Sequence, residues 1–179
     1  MTLTDCDSDS PTLGLGIPNM PRIYVPFFDE AIPQDERMPT FSRWVVSYFS
    51  HGDLSAHDAT TLEFKDIDQK RKSQIAALSD RELSPLVDFG PSYRSDIPLL
   101  TLPEPLLYHQ TLKALIDTEN RGLWPNMGIW VLYCDSSTGV TVHAGFELEK
   151  LVKATEGKPV QVQLLEDAHH AVRHRPASV

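Results

Sequence analysis

Cysteine is scarce in this chain. Cys6, in a polar leader, and Cys134, in an apolar run, are the only two in 179 residues. They make neither a Cys-x-x-Cys pair nor a disulfide framework, so a reducing compartment is the natural expectation. Basic charge is also short. Sixteen Lys and Arg face 25 Asp and Glu, a formal net charge of -9. Nucleic acid and anionic membrane surfaces are recognised through basic patches, and neither is expected as a partner. The compact basic cluster Lys70-Arg71-Lys72 sits beside acids and reads as a solvated helix face. No apolar stretch approaches the roughly 20 residues of a membrane span. Met1 to Ser10 is acidic and polar, without the positive start and apolar middle of a secretory signal. Ala177-Ser178-Val179 does not match the SKL-type peroxisomal signal. A cytoplasmic location is expected by elimination.

What is present is an ordinary globular composition, 41% apolar and 23% charged, in a chain long enough for a real core. Residues 1–12, rich in Asp, Ser and Thr, are expected to be a disordered leader. From 13 to 39 the prolines Pro18, Pro21, Pro26, Pro33 and Pro39 argue against long helices. Phe41, Trp44, Val45, Tyr48 and Phe49 then fall at helical spacing, and His51-Gly52 stops the pattern. Residues 62–78 read as a second, more charged helix. Ser79 and Glu82 form a capping-box pattern for a short third one. The segment 104–118 is amphipathic, with Leu106, Leu107, Leu112, Leu115 and Ile116 apolar, and Arg121-Gly122 closes it.

The rhythm changes after residue 100. Gly128 to Cys134 is an unbroken apolar run that fits a parallel strand covered on both faces. A Ser-Thr-Gly loop at 136–139 precedes a helix at 142–155, and a second strand is expected at 160–165. Helix, strand, helix, strand is the order of a parallel α/β layer. In such layers functional groups collect at the carboxyl ends of the strands. Two loops qualify here: Cys134-Asp135-Ser136-Ser137, and Glu166-Asp167-Ala168-His169-His170. A carboxylate and a histidine so placed have the chemistry of a triad's acid and base, in which the acid orients the imidazole that takes the nucleophile's proton.

The tail Leu164-Leu165-Glu166-Asp167-Ala168-His169-His170-Ala171-Val172-Arg173-His174-Arg175-Pro176 resembles the histidine loop of the α/β-hydrolases. The run 128–134 resembles that family's seventh strand. Phe41-Ser42-Arg43-Trp44 with Tyr48 and His51-Gly52 is similar to the caps of certain fungal and bacterial members. The resemblance spans residues 20–176. It implies a partial α/β-hydrolase fold: a Pro-rich connector and helical cap over 13–100, then a small parallel-sheet α/β half over 101–179. It puts the base on His170, with His169 at a position often held by glycine. The family's usual acid position is Ser137, which leaves Asp135 as the local substitute. It also implies the ester and lactone chemistry of secondary metabolism.

The family's Gly-x-Ser-x-Gly nucleophile elbow does not occur in the chain. A hydrolase-like protein without its own nucleophile is therefore expected, completed by a complementing chain or by self-association. The alternative is a non-catalytic binding or interaction protein whose cap-derived pocket takes an apolar small molecule or another protein. The Phe41, Trp44 and Tyr48 stripe is expected to be core, and in a cap it also faces the cleft. No cofactor is expected. Gly14-Leu15-Gly16 follows no strand, and Asp88-Phe89-Gly90 lacks the rest of the kinase set. A metal on His169, His170 and His174 is not expected either, because Pro176 restricts any helix there.

Overall fold

The structure is a computed structural model that describes residues 2–6, 16–17, 24–73, 75, 78–83, 85, 94, 98, 102–155 and 160–169. Its centre is a parallel sheet in the order β1 (Thr2–Cys6), β2 (Gly128–Cys134), β3 (Gln161–Leu165). β2 lies in the middle, with Thr2 opposite Gly128 on one side and Val131 opposite Val162 on the other. The expected pair of adjacent parallel strands joined by a helix is present, and the chain is of mixed α/β class. The leader, expected to lack structure, instead supplies β1 over Thr2–Cys6.

Side chains alternate across a strand, so Val131, Tyr133, Val162 and Leu164 share one face of the sheet. The joining helix, Gly139–Lys153, packs on that face. It begins three residues earlier than its apolar pattern suggests, because Gly139 enters the first turn. A side chain at Gly139 would come within 2.5 Å of the Glu63 carbonyl oxygen. Gly145, in the middle of the helix, lies flat on the Tyr133 ring, where a Cβ would sit 2.5 Å from ring carbons. The helix can therefore approach the sheet closely only with glycine at that position. On the opposite face β3 presents the exposed Gln161 and Gln163, so β3 alternates, whereas β2 is apolar along nearly its whole length.

The helix before the sheet, Gln34–Val45, differs from expectation. It starts inside the Pro-rich stretch and carries Pro39. Pro33 precedes the first turn, where proline's fixed φ is compatible with entry, and Asp35 and Glu36 complement the positive end of the helix. Pro39 removes one backbone donor only. Ser42 Oγ donates to Met38 O at 2.9 Å and Arg43 Nε to Pro39 O at 3.2 Å, so side chains serve the carbonyls around it.

The helix expected at 62–78 is absent over 62–73, and the cap expected over 13–100 is largely irregular between residues 46 and 73. Two carboxylates account for this. Glu63 Oε1 accepts the backbone N–H groups of Phe64, Lys65 and Asp66 at 2.8–2.9 Å. Asp68 Oδ1 accepts that of Lys70 at 2.8 Å. Donors captured by local side chains are not available to an α-helical ladder. An isolated antiparallel bridge joins Phe49 and Ile67 instead. The short helix Asp80–Leu83 forms as expected, with Ser79 N–H donating to Glu82 Oε2 at 3.0 Å. The amphipathic segment splits into Glu104–Leu115 and Thr118–Gly122. Asp117 caps the second piece by accepting the Asn120 N–H at 2.9 Å.

One core cluster unites Trp44, Val45, Phe49, Leu62 and Phe64 with Tyr133, Val140, Val142 and Phe146. It joins residues from both sides of position 100. Burying a ring such as Phe146 contributes ~1.5–3 kcal/mol, and Trp44 adds a hydrogen bond from Nε1 to Phe64 O at 3.2 Å. Of the aromatic stripe, Trp44 is core and Phe41 packs against it, whereas the helix stops at Val45, short of the expected His51-Gly52, and Tyr48 lies outside the cluster. The cluster holds the irregular segment 46–73 against the sheet and its helix.

Candidate functional site

The carboxyl ends of β2 and β3 form the candidate site, and Asp135 sits at its centre. Its Oδ2 accepts the Asp167 N–H at 2.8 Å. Its Oδ1 accepts the Ala168 N–H at 3.1 Å and the Ser136 hydroxyl at 2.9 Å. Asp167, in this turn, adopts a left-handed conformation, φ 55°. Both oxygens of Asp135 are therefore engaged in tying the turn after β3 to the turn after β2. His170, assigned as base by resemblance, lies outside the described residues. His169 is buried, with its ring edge-on to Tyr48 at 4.1 Å between centroids.

Arg71 closes the arrangement from the other side. Its Nη1 donates to Ser136 Oγ at 2.8 Å and its Nη2 to Asp167 Oδ1 at 2.6 Å. The guanidinium lies 3.8 Å from the Tyr48 ring centroid, a cation–π geometry. The cluster Lys70-Arg71-Lys72 is therefore not a solvated helix face. The two lysines are exposed, while Arg71 turns inward between them. Charge patterning in sequence could not separate these three cations, because Arg71's partners lie 65 and 96 positions away.

The irregular segment seals the rest of the turn. Phe49 N–H donates to Ser136 O at 2.9 Å, Ser136 N–H donates to Ala168 O at 2.9 Å, and Gly139 N–H donates to Glu63 O at 3.1 Å. His51 bridges both sides. Its Nε2–H donates to Ser137 O at 2.8 Å, and its Nδ1 accepts the Glu63 N–H at 2.9 Å. Those partners require the neutral Nε2–H tautomer. Burial pushes the His51 pKa below its ordinary value, outweighing the opposite pulls of the Ser137 carbonyl and of Glu63 and Asp135. Ser137, which the hydrolase resemblance aligns with the acid, is fully buried.

A second polar cluster lies farther along the helix 139–153. Tyr133 OH donates to Glu149 Oε1 at 2.7 Å. Glu149 Oε2 meets Lys153 Nζ at 3.1 Å and His57 Nε2 at 3.6 Å. Burial and the Glu149 carboxylate push the Tyr133 phenol far up, so it stays protonated and acts as a donor. His57 stacks on Phe146 at 4.5 Å. The cluster pins the loop around residue 57 to the helix. Among the described residues, no group of three or more His, Cys, Asp and Glu is placed to hold a metal ion. No described helix is long and apolar enough to cross a membrane.

No match to this chain is found among protein-family models, curated proteins or solved structures. The site therefore rests on its own geometry. Asp135, singled out in the sequence, lies where the two strand-end turns meet. Sequence reasoning missed Arg71, and it missed Glu63, whose main-chain N–H and C=O join His51 to Gly139.

Proposed function

We propose that this chain is a hydrolase-like α/β protein that works by binding rather than by turnover. The engagement of Asp135 supports this reading. A triad acid turns a carboxylate oxygen to the imidazole of its base, whereas three of the roughly four acceptor sites of Asp135 serve the Asp167, Ala168 and Ser136 donors of the two turns, and the carboxylate is committed to structure. The Gly139 N–H at the start of the helix 139–153 is likewise taken, by the Glu63 carbonyl, and is not free to receive an anion. On this reading the ester and lactone chemistry implied by the hydrolase resemblance belongs to the ancestry of the chain. The purified chain is expected to give no turnover of p-nitrophenyl acetate, p-nitrophenyl butyrate or a simple γ-lactone above buffer. Turnover that disappears in His170→Ala or Asp135→Asn would overturn the binding reading and restore the catalytic one.

A second reading concerns the partner. β3 is paired on one side only among the described residues, and Gln161 to Leu165 carries neither charge nor proline. Natural edge strands commonly carry such blocking residues. The occupant that fits an uncharged edge of this kind is a second copy of the chain, with β3 running antiparallel to β3. Sedimentation velocity of the purified chain tests this, with a dimer expected at micromolar concentration.

A further inference from the structure

We propose that the segment 46–73 is a pH-operated cover over the strand-end turn, with neutral His51 as its latch. The latch is independent of whether the site binds or catalyses, so its failure leaves that reading untouched.

The geometry makes one ring responsible for two contacts of opposite sense. Nε2–H holds the turn after β2 through Ser137 O, and Nδ1 holds the Glu63 N–H. Glu63 passes the contact on, because its carbonyl accepts the Gly139 N–H that opens the helix 139–153. The ring also lies parallel to Phe49, 6.4 Å between centroids, and Phe49 N–H is bound to Ser136 O. Protonation would place a hydrogen on Nδ1, facing the Glu63 N–H across 2.9 Å. Two donors cannot share that position, so Glu63 must move away and its carbonyl must leave Gly139.

The charged groups facing the ring are Glu63 from its own segment and Asp135 from the turn after β2. Both favour the imidazolium. Burial opposes it more strongly, and the net effect holds the closed state neutral below the ordinary histidine range. An opened segment returns the ring to water and to an ordinary pKa of about 6.5. Protons therefore bind the open form more tightly. Opening becomes easier by up to about tenfold for each pH unit below about 6.5, until the depressed closed-state value is reached. What opening uncovers is the Ser136-Ser137-Thr138 turn and the first turn of a fifteen-residue helix at the carboxyl ends of parallel strands. That is the crevice in which open α/β sheets take ligands.

The test is amide hydrogen exchange of the full chain at pH 7.5, 6.5 and 5.5, with rates corrected for intrinsic pH dependence. Protection across 49–66 and 136–141 should fall by up to about tenfold per unit below pH 6.5, while 146–153 keeps its protection. His51→Gln keeps one donor and one acceptor but does not titrate, and it should stay protected at all three pH values. His57→Gln and His169→Gln should keep the wild-type response. Uniform loss of protection along the chain, or a response that survives in His51→Gln, would overturn the latch. Should His51→Gln not fold, the His51 ring titration in the wild-type chain decides by NMR. A midpoint below 6.5 that coincides with movement of the Glu63 amide supports the latch, and a midpoint at or above 6.5 with that amide unmoved overturns it.

Discussion

Asp135 holds the backbone N–H of Asp167 at 2.8 Å, across the gap between the ends of two parallel strands. Its other oxygen takes the next donor along, Ala168. The pair of contacts sets the course of the chain as it leaves β3. Asp135→Ala is expected to cost about 1–2 kcal/mol, the scale of hydrogen bonds to a charged group at a partly wet site. Asp135→Asn should cost less, because its amide oxygen still accepts one of the two donors. Urea denaturation followed by tryptophan fluorescence measures both. Equal midpoints for all three proteins would show that Asp135 does not organise the turn.

Gly145 and Tyr133 make a sharper test of the packing. A methyl group at 145 meets ring carbons at 2.5 Å, whereas one at Gly122 meets nothing within 4 Å. Gly145→Ala should destabilise by about 1–3 kcal/mol, as overpacking does, despite the better helix propensity of alanine. Gly122→Ala should be close to neutral. A stabilised Gly145→Ala protein would mean that the helix 139–153 does not lie on Tyr133 as described.

Glu63 predicts an acid limb. Burial pushes its pKa up, but the N–H groups of Asp66, Lys65 and Phe64 pull it down further, so the net shift is below the ordinary glutamate value. A carboxyl depressed in the folded state contributes stability that is complete above the unfolded value, about 4.3. That contribution is lost as pH falls through the folded value. Between pH 6 and 3 the wild-type chain should lose more stability than Glu63→Gln, which keeps an acceptor oxygen but does not titrate. Parallel losses in thermal denaturation across that range would rule out the assignment.

The β3 edge predicts an association that one charge prevents. Gln163 is exposed on the face away from the helix, and Gln163→Lys should convert a sedimenting dimer to monomer without changing its denaturation midpoint at low concentration. A dimer that tolerates Gln163→Lys lies on another surface. The exposed Leu123 and Trp124, 72% and 62% accessible, are then the next residues to substitute.

The parts of the fold legible in sequence are those whose signal is local. The run Gly128–Cys134 could be little other than a covered strand, and the Ser79–Glu82 pair announced its helix. The segment after Leu62 misled because Leu62, Lys70 and Arg71 look helical by composition, while the Glu63 and Asp68 carboxylates divert the backbone donors. Pro33 and Pro39 misled in the other direction. One stands at the entrance of the helix 34–45, and the other costs a single backbone bond. At the site, the strand-end turns were visible from the order of elements. The inward turn of Arg71 and the two-sided grip of His51 were not, because their partners lie far along the chain.

The bond from His51 to Ser137 spans 86 positions and that from Arg71 to Asp167 spans 96. The cluster around Trp44 and Tyr133 likewise joins distant stretches of chain. Contacts of this separation must close large loops before they give any return, and folding rates fall as such contacts dominate. The helix 139–153 and its flanking strands can meet early. The segment 46–73 has little regular structure of its own to offer, and it docks only once that surface exists. Refolding should therefore be slow for a chain of this size, with the change in tryptophan fluorescence of a Trp124→Phe, Trp130→Phe chain, which keeps Trp44, trailing the gain of helical circular dichroism.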